Sequence, residues 1–324
     1  MGKIAYLLER GEPMQGSRYK YFELLKMCGY EVKVFRNTLA GIVGLKRYKP
    51  MVTMIIGDGS GTFRVCLENR IPYILIETDI VTLRKNKKKK IALLVARERK
   101  MITNASKIIF DSKDHRRYIC SKYKYPIKQT IVIHLRPTAE NLKFEPLPKL
   151  SGKNLVYVGG LVPWSHRRKK RGHRAYYAYF KAFIEAGWKV FIYTARNYKV
   201  TPEYLEIGCI DRGKVPQGEL YRELSQYTAG LQSYNRIDTP KKSFNYCMLC
   251  RPNKLWEYLA AGIPTIGFHG GNGTRIYNGR WGIVIKDLKT ETIDNIQLPV
   301  IDEKVRQSEV IDNDVGRMRR FLWK

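Results

Sequence analysis

Short apolar runs alternate with longer amphipathic segments along the first half of the chain. The runs predict buried strands, and the segments with apolar positions every three or four residues predict helices. The predicted strands are Lys3–Leu8, Glu31–Phe35, Met51–Ile56, Tyr73–Ile76, Lys107–Asp111 and Gln129–His134, and the predicted helices are Tyr19–Cys28, Phe63–Asn69 and Lys87–Ser106. This β-α-β alternation is typical of a parallel sheet with helices on both faces.

A proline-rich stretch, Leu135–Gly152, interrupts the alternation and predicts a linker over residues 137–152. The alternation then restarts with strands Asn154–Val158, Lys189–Tyr193, Gly230–Ser233, Pro264–Gly267 and Ile283–Lys286, and with helices Ala175–Ala186, Gln217–Gln226 and Leu255–Ala261. We therefore expect an α/β protein with two Rossmann-like, doubly wound domains, at 1–136 and 153–311, and a cleft between them. A final helix at 312–324 is expected to cross back to the first domain.

Composition narrows the class of protein. The chain of 324 residues has room for two domains, and no apolar run approaches the length of a membrane span. The first residues are too few and too charged for a signal peptide, and six scattered cysteines do not form a disulfide framework. These features favour a cytoplasmic protein, in the host cytoplasm if the source is viral.

Positive charge is the unusual feature of the composition. The chain has 60 Lys and Arg against 29 Asp and Glu, a formal net charge of +31. Residues 1–150 contribute 31 basic and 13 acidic residues, so the excess is not confined to one tail. A field of this sign attracts polyanions, and nucleic acid and anionic membrane are the two candidates. Basic residues interleaved with tyrosines, from Arg84–Lys90 through Lys128, favour nucleic acid.

One segment of the second half has a recognisable pattern. Arg251–Ile285 (RPNKLWEYLAAGIPTIGFHGGNGTRIYNGRWGIVI) resembles the donor-site segment of GT-B glycosyltransferases, above all the retaining glycosyltransferase family four. Tyr157–Leu161 (YVGGL) is similar to the strand and glycine turn that open the donor domain of that family. The resemblance covers about residues 150–290 and implies that the second domain binds a nucleotide sugar and the first domain the acceptor.

Several donor-binding residues follow from this pattern. Glu257 matches the glutamate that binds the ribose diol in the family, and a carboxylate has two oxygens for that task. Gly270 and Gly271 can direct backbone amides at a diphosphate, and Gly160 stands where the family has an arginine. The candidates for a cationic diphosphate clamp are Arg171, Lys170 and Lys254.

The chain also departs from the family pattern. The family often has a second glutamate eight positions before the ribose ligand, where this chain has Leu249, so the identity of the sugar is open. Asp79 matches a family aspartate at the end of a strand, and we take it, with Glu77 as the alternative, as the candidate catalytic base. Gly16 and Ser17, in the first strand–helix turn, and the basic run Lys87, Lys88, Lys89 and Lys90 are the candidate acceptor-binding residues.

Together these features predict a glycosyltransferase that moves a sugar, with UDP-glucose as the expected donor, to a hydroxyl on a modified base in DNA. This activity resembles that of bacteriophage enzymes that glucosylate hydroxymethylated pyrimidines. We expect no metal, no cofactor besides the UDP-sugar substrate, and no obligate protein partner. Two alternatives stay open: a peripheral membrane glycosyltransferase acting on a lipid-linked or envelope glycan, and a degenerate GT-B domain that binds nucleic acid without catalysis.

Overall fold

The structure, a computed structural model, divides into two units that we describe separately. It describes residues 2–11, 17–57, 61–78, 80–84, 88–163, 174–194, 200–216, 218–234, 246–249, 251–268 and 274–323. The N-terminal unit consists of Met1–Arg136 together with Ile311–Lys324, and the C-terminal unit consists of Pro137–Val310.

The N-terminal unit is built on a parallel sheet of six strands. These are β1 (Lys3–Leu8), β2 (Glu31–Arg36), β3 (Val52–Ile56), β4 (Tyr73–Glu77), β5 (Lys107–Phe110) and β6 (Thr130–Val132). Their order in the sheet is β2-β1-β3-β4-β5-β6. Residues 4–8 of β1 are fully buried, as expected for an inner strand with both faces covered. The strand β2 lies on one side of β1, and β3 and the later strands lie on the other. The carboxyl end of β1 is therefore a topological switch point.

Six helices connect these strands: α1 (Ser17–Met27), α2 (Leu39–Tyr48), α3 (Thr62–Glu68), α4 (Val81–Arg84), α5 (Lys88–Thr103) and α6 (Lys113–Tyr123). Two of them begin with a side-chain cap. Thr38 accepts a hydrogen bond from the backbone N–H of Gly41 at 3.1 Å, and Ser112 accepts one from that of His115 at 3.0 Å. The segment predicted as one helix over Lys87–Ser106 contains α5, and the short helix α4 precedes it.

The C-terminal unit repeats this architecture with strands β7 (Asn154–Val158), β8 (Lys189–Tyr193), β9 (Ile210–Gly213), β10 (Ala229–Leu231), β11 (Thr265–Phe268) and β12 (Gly282–Ile285). The order is β12-β11-β10-β7-β8-β9, again with all neighbours parallel. Its helices are α7 (Tyr177–Glu185), α8 (Pro202–Glu206), α9 (Leu220–Leu224), α10 (Lys254–Ala260), α11 (Thr274–Tyr277), α12 (Thr290–Asp294) and α13 (Glu303–Ser308). The direction reverses at β7, whose carboxyl end is the switch point of this sheet.

Residues 137–152, the predicted linker, pack on the C-terminal unit. Leu142 lies in a buried cluster with Tyr221, Ala260 and Val310. The Lys149 ammonium donates to the backbone carbonyl of Tyr227 at 3.0 Å. This stretch therefore has fixed contacts with one of the two units over much of its length.

The last helix, α14 (Val315–Trp323), belongs to the N-terminal unit. Met318 and Leu322 lie in the same buried cluster as the inward residues of β1 and α1. Asp314, just before the helix, is buried and pairs with Arg136 at 2.5 Å. The Arg319 guanidinium donates to the carbonyl of Cys28, just beyond the end of α1, at 2.9 Å. Among the helices that the structure describes, none is long and apolar enough to span a bilayer.

Candidate functional site

A glycine turn follows β7 at the switch point of the C-terminal sheet. Gly159 has φ +135°, in the region that favours glycine, and its N–H donates to the carbonyl of Tyr193 at 2.9 Å. A Cβ added to Gly159 would lie 3.7 Å from Nζ of Lys254. The buried Gly160 accepts a hydrogen bond from the Tyr157 hydroxyl at 3.0 Å. The turn therefore brings the backbone beside a lysine that is distant in sequence.

Helix α10 is fixed to the carboxyl ends of β7 and β10 by one tyrosine. The Tyr258 hydroxyl accepts from the N–H of Val158 at 3.1 Å and lies 3.2 Å from the carbonyl of Leu231. Gly230 of β10 allows this approach, because a Cβ there would lie 2.3 Å from the Tyr258 ring. The helix ends at Ala260, and Gly262, two residues later, has φ +70°. The first turn of α10 is thus held at the switch point.

Lys254, the first residue of α10, lies over the faces of two tyrosines. Its Nζ is 3.8 Å from the ring centroid of Tyr157 and 5.7 Å from that of Tyr176. Burial lowers the pKa of the Lys254 ammonium well below its usual range, and Arg174 lowers it further, while Glu257 raises it. Among the described residues, the charge of Lys254 is therefore only partly compensated, and an anion bound next to it would stabilise its charged form.

Glu257 lies one turn after Lys254 on the same helix and is half-buried. Positions three apart in a helix are neighbours on its surface, so the carboxylate and the ammonium belong to one region. The negative charge of Glu257 acts on both Lys254 and Tyr258. A carboxylate and a cation side by side suit a ligand that has hydroxyl groups and an anionic group.

Arg174 provides a second cation near the same tyrosines. Burial raises the pKa values of Tyr157 and Cys247, and the charge of Arg174 lowers both by a smaller amount. The carbonyl of Arg174 accepts from the N–H of Val162 at 3.1 Å, so the backbone of Arg174 is tied to the chain just after the glycine turn.

The floor below these residues is aromatic. The Tyr157 and Tyr176 rings have centroids 4.8 Å apart, and Tyr179 packs edge-on against Phe268 at 4.6 Å. The Tyr176 hydroxyl donates to the carbonyl of Ser233 at the end of β10. Burial raises the pKa values of Tyr157 and Tyr176 well above their usual range, so both hydroxyls stay protonated near neutral pH.

In the N-terminal unit, Glu77 ends β4 and is fully buried. Its carboxylate lies against Gly57 at the end of β3, where an added Cβ would be 2.0 Å from Oε2. A second buried carboxylate, Glu98, accepts hydrogen bonds from the Lys122 ammonium at 2.9 Å and from the Tyr123 hydroxyl. Glu98 therefore joins α5 to α6.

Comparisons of the whole chain find relatives only among solved structures. No family model and no curated protein matches the chain. HepE of Anabaena, in complex with UDP and glucose, has a TM-score of 0.61 at 10% identity, covering 98% of this chain and 95% of its own. AviGT4, a glycosyltransferase involved in avilamycin A biosynthesis, has a TM-score of 0.62 at 14% identity, covering 100% and 98%.

The chain has the GT-B fold. The same fold occurs in a putative UDP-N-acetylglucosamine 2-epimerase from Listeria monocytogenes, with a TM-score of 0.55 at 12% identity, covering 98% of this chain and 94% of that one. These similarities establish the GT-B fold. They do not establish the reaction, because one fold can host different activities.

Of the predicted donor residues, the GT-B structure brings together Gly160, Lys254 and Glu257. All three lie at the carboxyl end of β7 or on the first turn of α10. Four others, Arg171, Lys170, Gly270 and Gly271, lie outside the described residues. Arg174 was not among the predicted donor residues, although it is the last of the six basic residues between positions 167 and 174 and stands just before the aromatic run that begins at Tyr176.

The predicted acceptor residues of this GT-B chain are only partly described. Asp79, Gly16 and Lys87 lie outside the described residues, and Ser17 is the first residue of α1. Lys88, Lys89 and Lys90 form the first turn of α5, but their side chains are not described. Glu77 is placed at a strand end, as predicted, but it is turned into the interior.

Proposed function

We propose that the chain is a glycosyltransferase that binds a UDP-sugar in its C-terminal unit. The observation that supports this is the grouping of the Gly159 turn, Lys254, Arg174 and Glu257 at the switch point of a parallel sheet. Ligands of doubly wound folds bind outside the carboxyl ends of the strands at this point. A nucleotide diphosphate has the hydroxyl and anionic groups that this set of side chains can bind.

The two cations are the proposed diphosphate ligands. Lys254 is half-buried and lies near Arg174, so the positive charges disfavour one another when no anion is present. A bound diphosphate would relieve this repulsion, and it would supply acceptors for both cations. The predicted residues Arg171 and Lys170, which precede Arg174 by three and four positions in the sequence, are proposed to extend the clamp.

Glu257 is the proposed ribose ligand. Glu257 lies one turn after Lys254, so the carboxylate and the ammonium are spaced along one helix. The ribose and the phosphates of a nucleotide are likewise spaced along the ligand. A carboxylate can accept two hydrogen bonds from the ribose diol. The diphosphate then leaves as an anion beside Lys254 and Arg174, which stabilise the charge that develops as the glycosidic bond breaks.

The proposed donor is UDP-glucose, and the proposed acceptor is a hydroxyl on a modified base in DNA. The net charge of +31 supports a polyanionic acceptor. A base inside a duplex must be flipped out to reach an active site. Asp79, or Glu77 as the alternative, is the proposed base that accepts the proton of the acceptor hydroxyl.

Incubation with radiolabelled UDP-sugars tests the proposal. Three parallel samples contain DNA with hydroxymethylated pyrimidines, the same DNA without them, and vesicles with a lipid-linked acceptor. We expect label in the modified DNA and equimolar release of UDP. Label in the lipid fraction alone would replace the DNA acceptor with a membrane one, and an epimerised UDP-sugar without an acceptor would refute glycosyl transfer.

A further inference from the structure

A groove lined by arginines runs along the outer edge of the N-terminal sheet. It has a volume of about 330 Å³ and is lined by Arg116, Thr130, Ile131, Val132, Arg317 and Arg320. The strand β6 forms its base, because β6 is the last strand of the sheet. Helix α6 contributes Arg116 to one wall, and α14 contributes Arg317 and Arg320 to the other.

We propose that this groove binds the phosphates of a single nucleic-acid strand through Arg116, Arg317 and Arg320. The class of ligand, a nucleic acid, rests on the acceptor proposed above. The residues of the groove are not among those proposed to bind the UDP-sugar. It assigns a second binding site, in the other unit of the chain.

The three guanidinium groups differ in how they are held. Arg317 donates to the carbonyl of Val132 at 2.9 Å and to the buried carboxylate of Asp314, which fixes its direction. Within the described part of the chain, no carboxylate pairs with Arg116 or Arg320. No acidic side chain is among the residues that line the groove. Arg116 and Arg320 therefore line the groove without a neutralising carboxylate among the described residues, and a bound phosphate chain would supply acceptors for both.

Arg317 and Arg320 are three residues apart on α14, about 4.5 Å along the helix axis, so both lie on the same face of the helix.

The groove fits a membrane surface less well. Helices that lie on membranes bury an apolar face in the lipid, but the apolar residues Met318 and Leu322 of α14 are buried in the protein core.

The test uses the full chain and a fluorescein-labelled oligodeoxythymidine, with binding followed by anisotropy at several salt concentrations. The variant R116Q/R320Q removes two arginines for which the structure shows no acidic partner. We expect its affinity at about 0.1 M salt to fall about ten-fold, and its plot of log affinity against log salt to flatten by about 1.4, at 0.7 per lost contact to a single strand.

The matched control is R47Q/R117Q, which removes the same charge from exposed positions of the same unit outside the groove. It should change the affinity and the slope much less than R116Q/R320Q does. Melting temperatures of both variants report on folding. The variant R116K/R320K, which keeps the charge, is expected to retain the salt slope and is the substitute if R116Q/R320Q does not fold.

Equal affinities and slopes for R116Q/R320Q and R47Q/R117Q would overturn the proposal. So would a wild-type protein that ignores the oligonucleotide but sediments with phosphatidylserine vesicles, and that result would assign the groove to a membrane. Calorimetry of the wild type with UDP separates the two proposals: absence of UDP binding would contradict the nucleotide-sugar site and leave the groove standing.

Discussion

Replacing Lys254 with methionine should affect ligand binding and stability in different ways. Methionine fills a similar volume and removes the ammonium from above the Tyr157 ring, where Nζ now lies 3.8 Å from the centroid. A hydrogen bond to a charged group contributes about 1.5–3 kcal/mol, so we expect the affinity for UDP to fall by about 12- to 140-fold.

The effect on stability should be small. The variant loses a cation–π contact worth about 2 kcal/mol when it is desolvated. Burial and repulsion by Arg174 both disfavour the charged lysine in the folded protein. The variant has no charge at this position, so removing these two effects stabilises it. Because these contributions oppose each other, we expect the free energy of unfolding to change by about 1 kcal/mol or less.

Calorimetry with UDP and denaturant unfolding of the same preparations measure both quantities. The matched control is Lys189→Met, since Lys189 is exposed at the amino end of β8, whereas the candidate site lies at the carboxyl ends of the strands. Lys189→Met should bind UDP like the wild type. If Lys254→Met also binds UDP with wild-type affinity, the assignment of Lys254 to the diphosphate is wrong.

The lowered pKa of Lys254 also gives UDP binding a pH dependence. In an unfolded chain the lysine has its usual pKa of 10.5, and burial beside Arg174 lowers the pKa in the folded protein. Between the two values the unfolded chain binds more protons, so stability rises with pH in that interval. A bound diphosphate favours the charged lysine, so UDP binding takes up a proton there and weakens as the pH rises. Calorimetry in buffers of different ionisation enthalpy would detect the uptake, and Lys254→Met should abolish it.

Three further outcomes are expected. Glu257→Ala should weaken the binding of UDP and its sugars by about 1.5–3 kcal/mol, and an unchanged calorimetric affinity would remove Glu257 from the site. Transfer should survive EDTA, because the proposed clamp uses cationic side chains; full loss restored by manganese would disprove a metal-free reaction. Neutralising Lys87–Lys90 should reduce the salt slope of duplex binding by about 0.9 per lost contact, and a variant with the slope of the wild type would show that these lysines do not contact phosphates.

The sequence predicted the strands that are buried on both faces. Lys3–Leu8, Asn154–Val158 and Lys189–Tyr193 have the same bounds in the structure, because a continuous apolar run has few alternatives to an inner strand. It did not predict β9, whose residues Ile210–Asp211 are exposed at the edge of the sheet and show no buried face. It also did not predict α2, since Gly41 and Gly44 lower the helix propensity of that segment.

The sequence indicates which residues of the candidate site share a helix turn only where those residues are close in sequence. Lys254 and Glu257 belong to one motif, and their common helix turn follows from their spacing. The approach of Lys254 to Gly159 depends on the order of strands in the sheet and on the anchoring of Tyr258, which no local pattern encodes. Arg174 was not predicted because six basic residues lie between positions 167 and 174. The sequence alone does not distinguish the one that lies near Lys254 in the folded protein.

Helix α14 completes the core of the N-terminal unit, although it lies at the other end of the sequence from β1 and α1. Synthesis proceeds from the first residue, so β1 and α1 leave the ribosome long before Met318 and Leu322, which complete their buried cluster. The C-terminal unit is continuous and can finish folding while the N-terminal unit still exposes an apolar surface. The part of the protein that is synthesised first is therefore expected to be the last to reach its native packing.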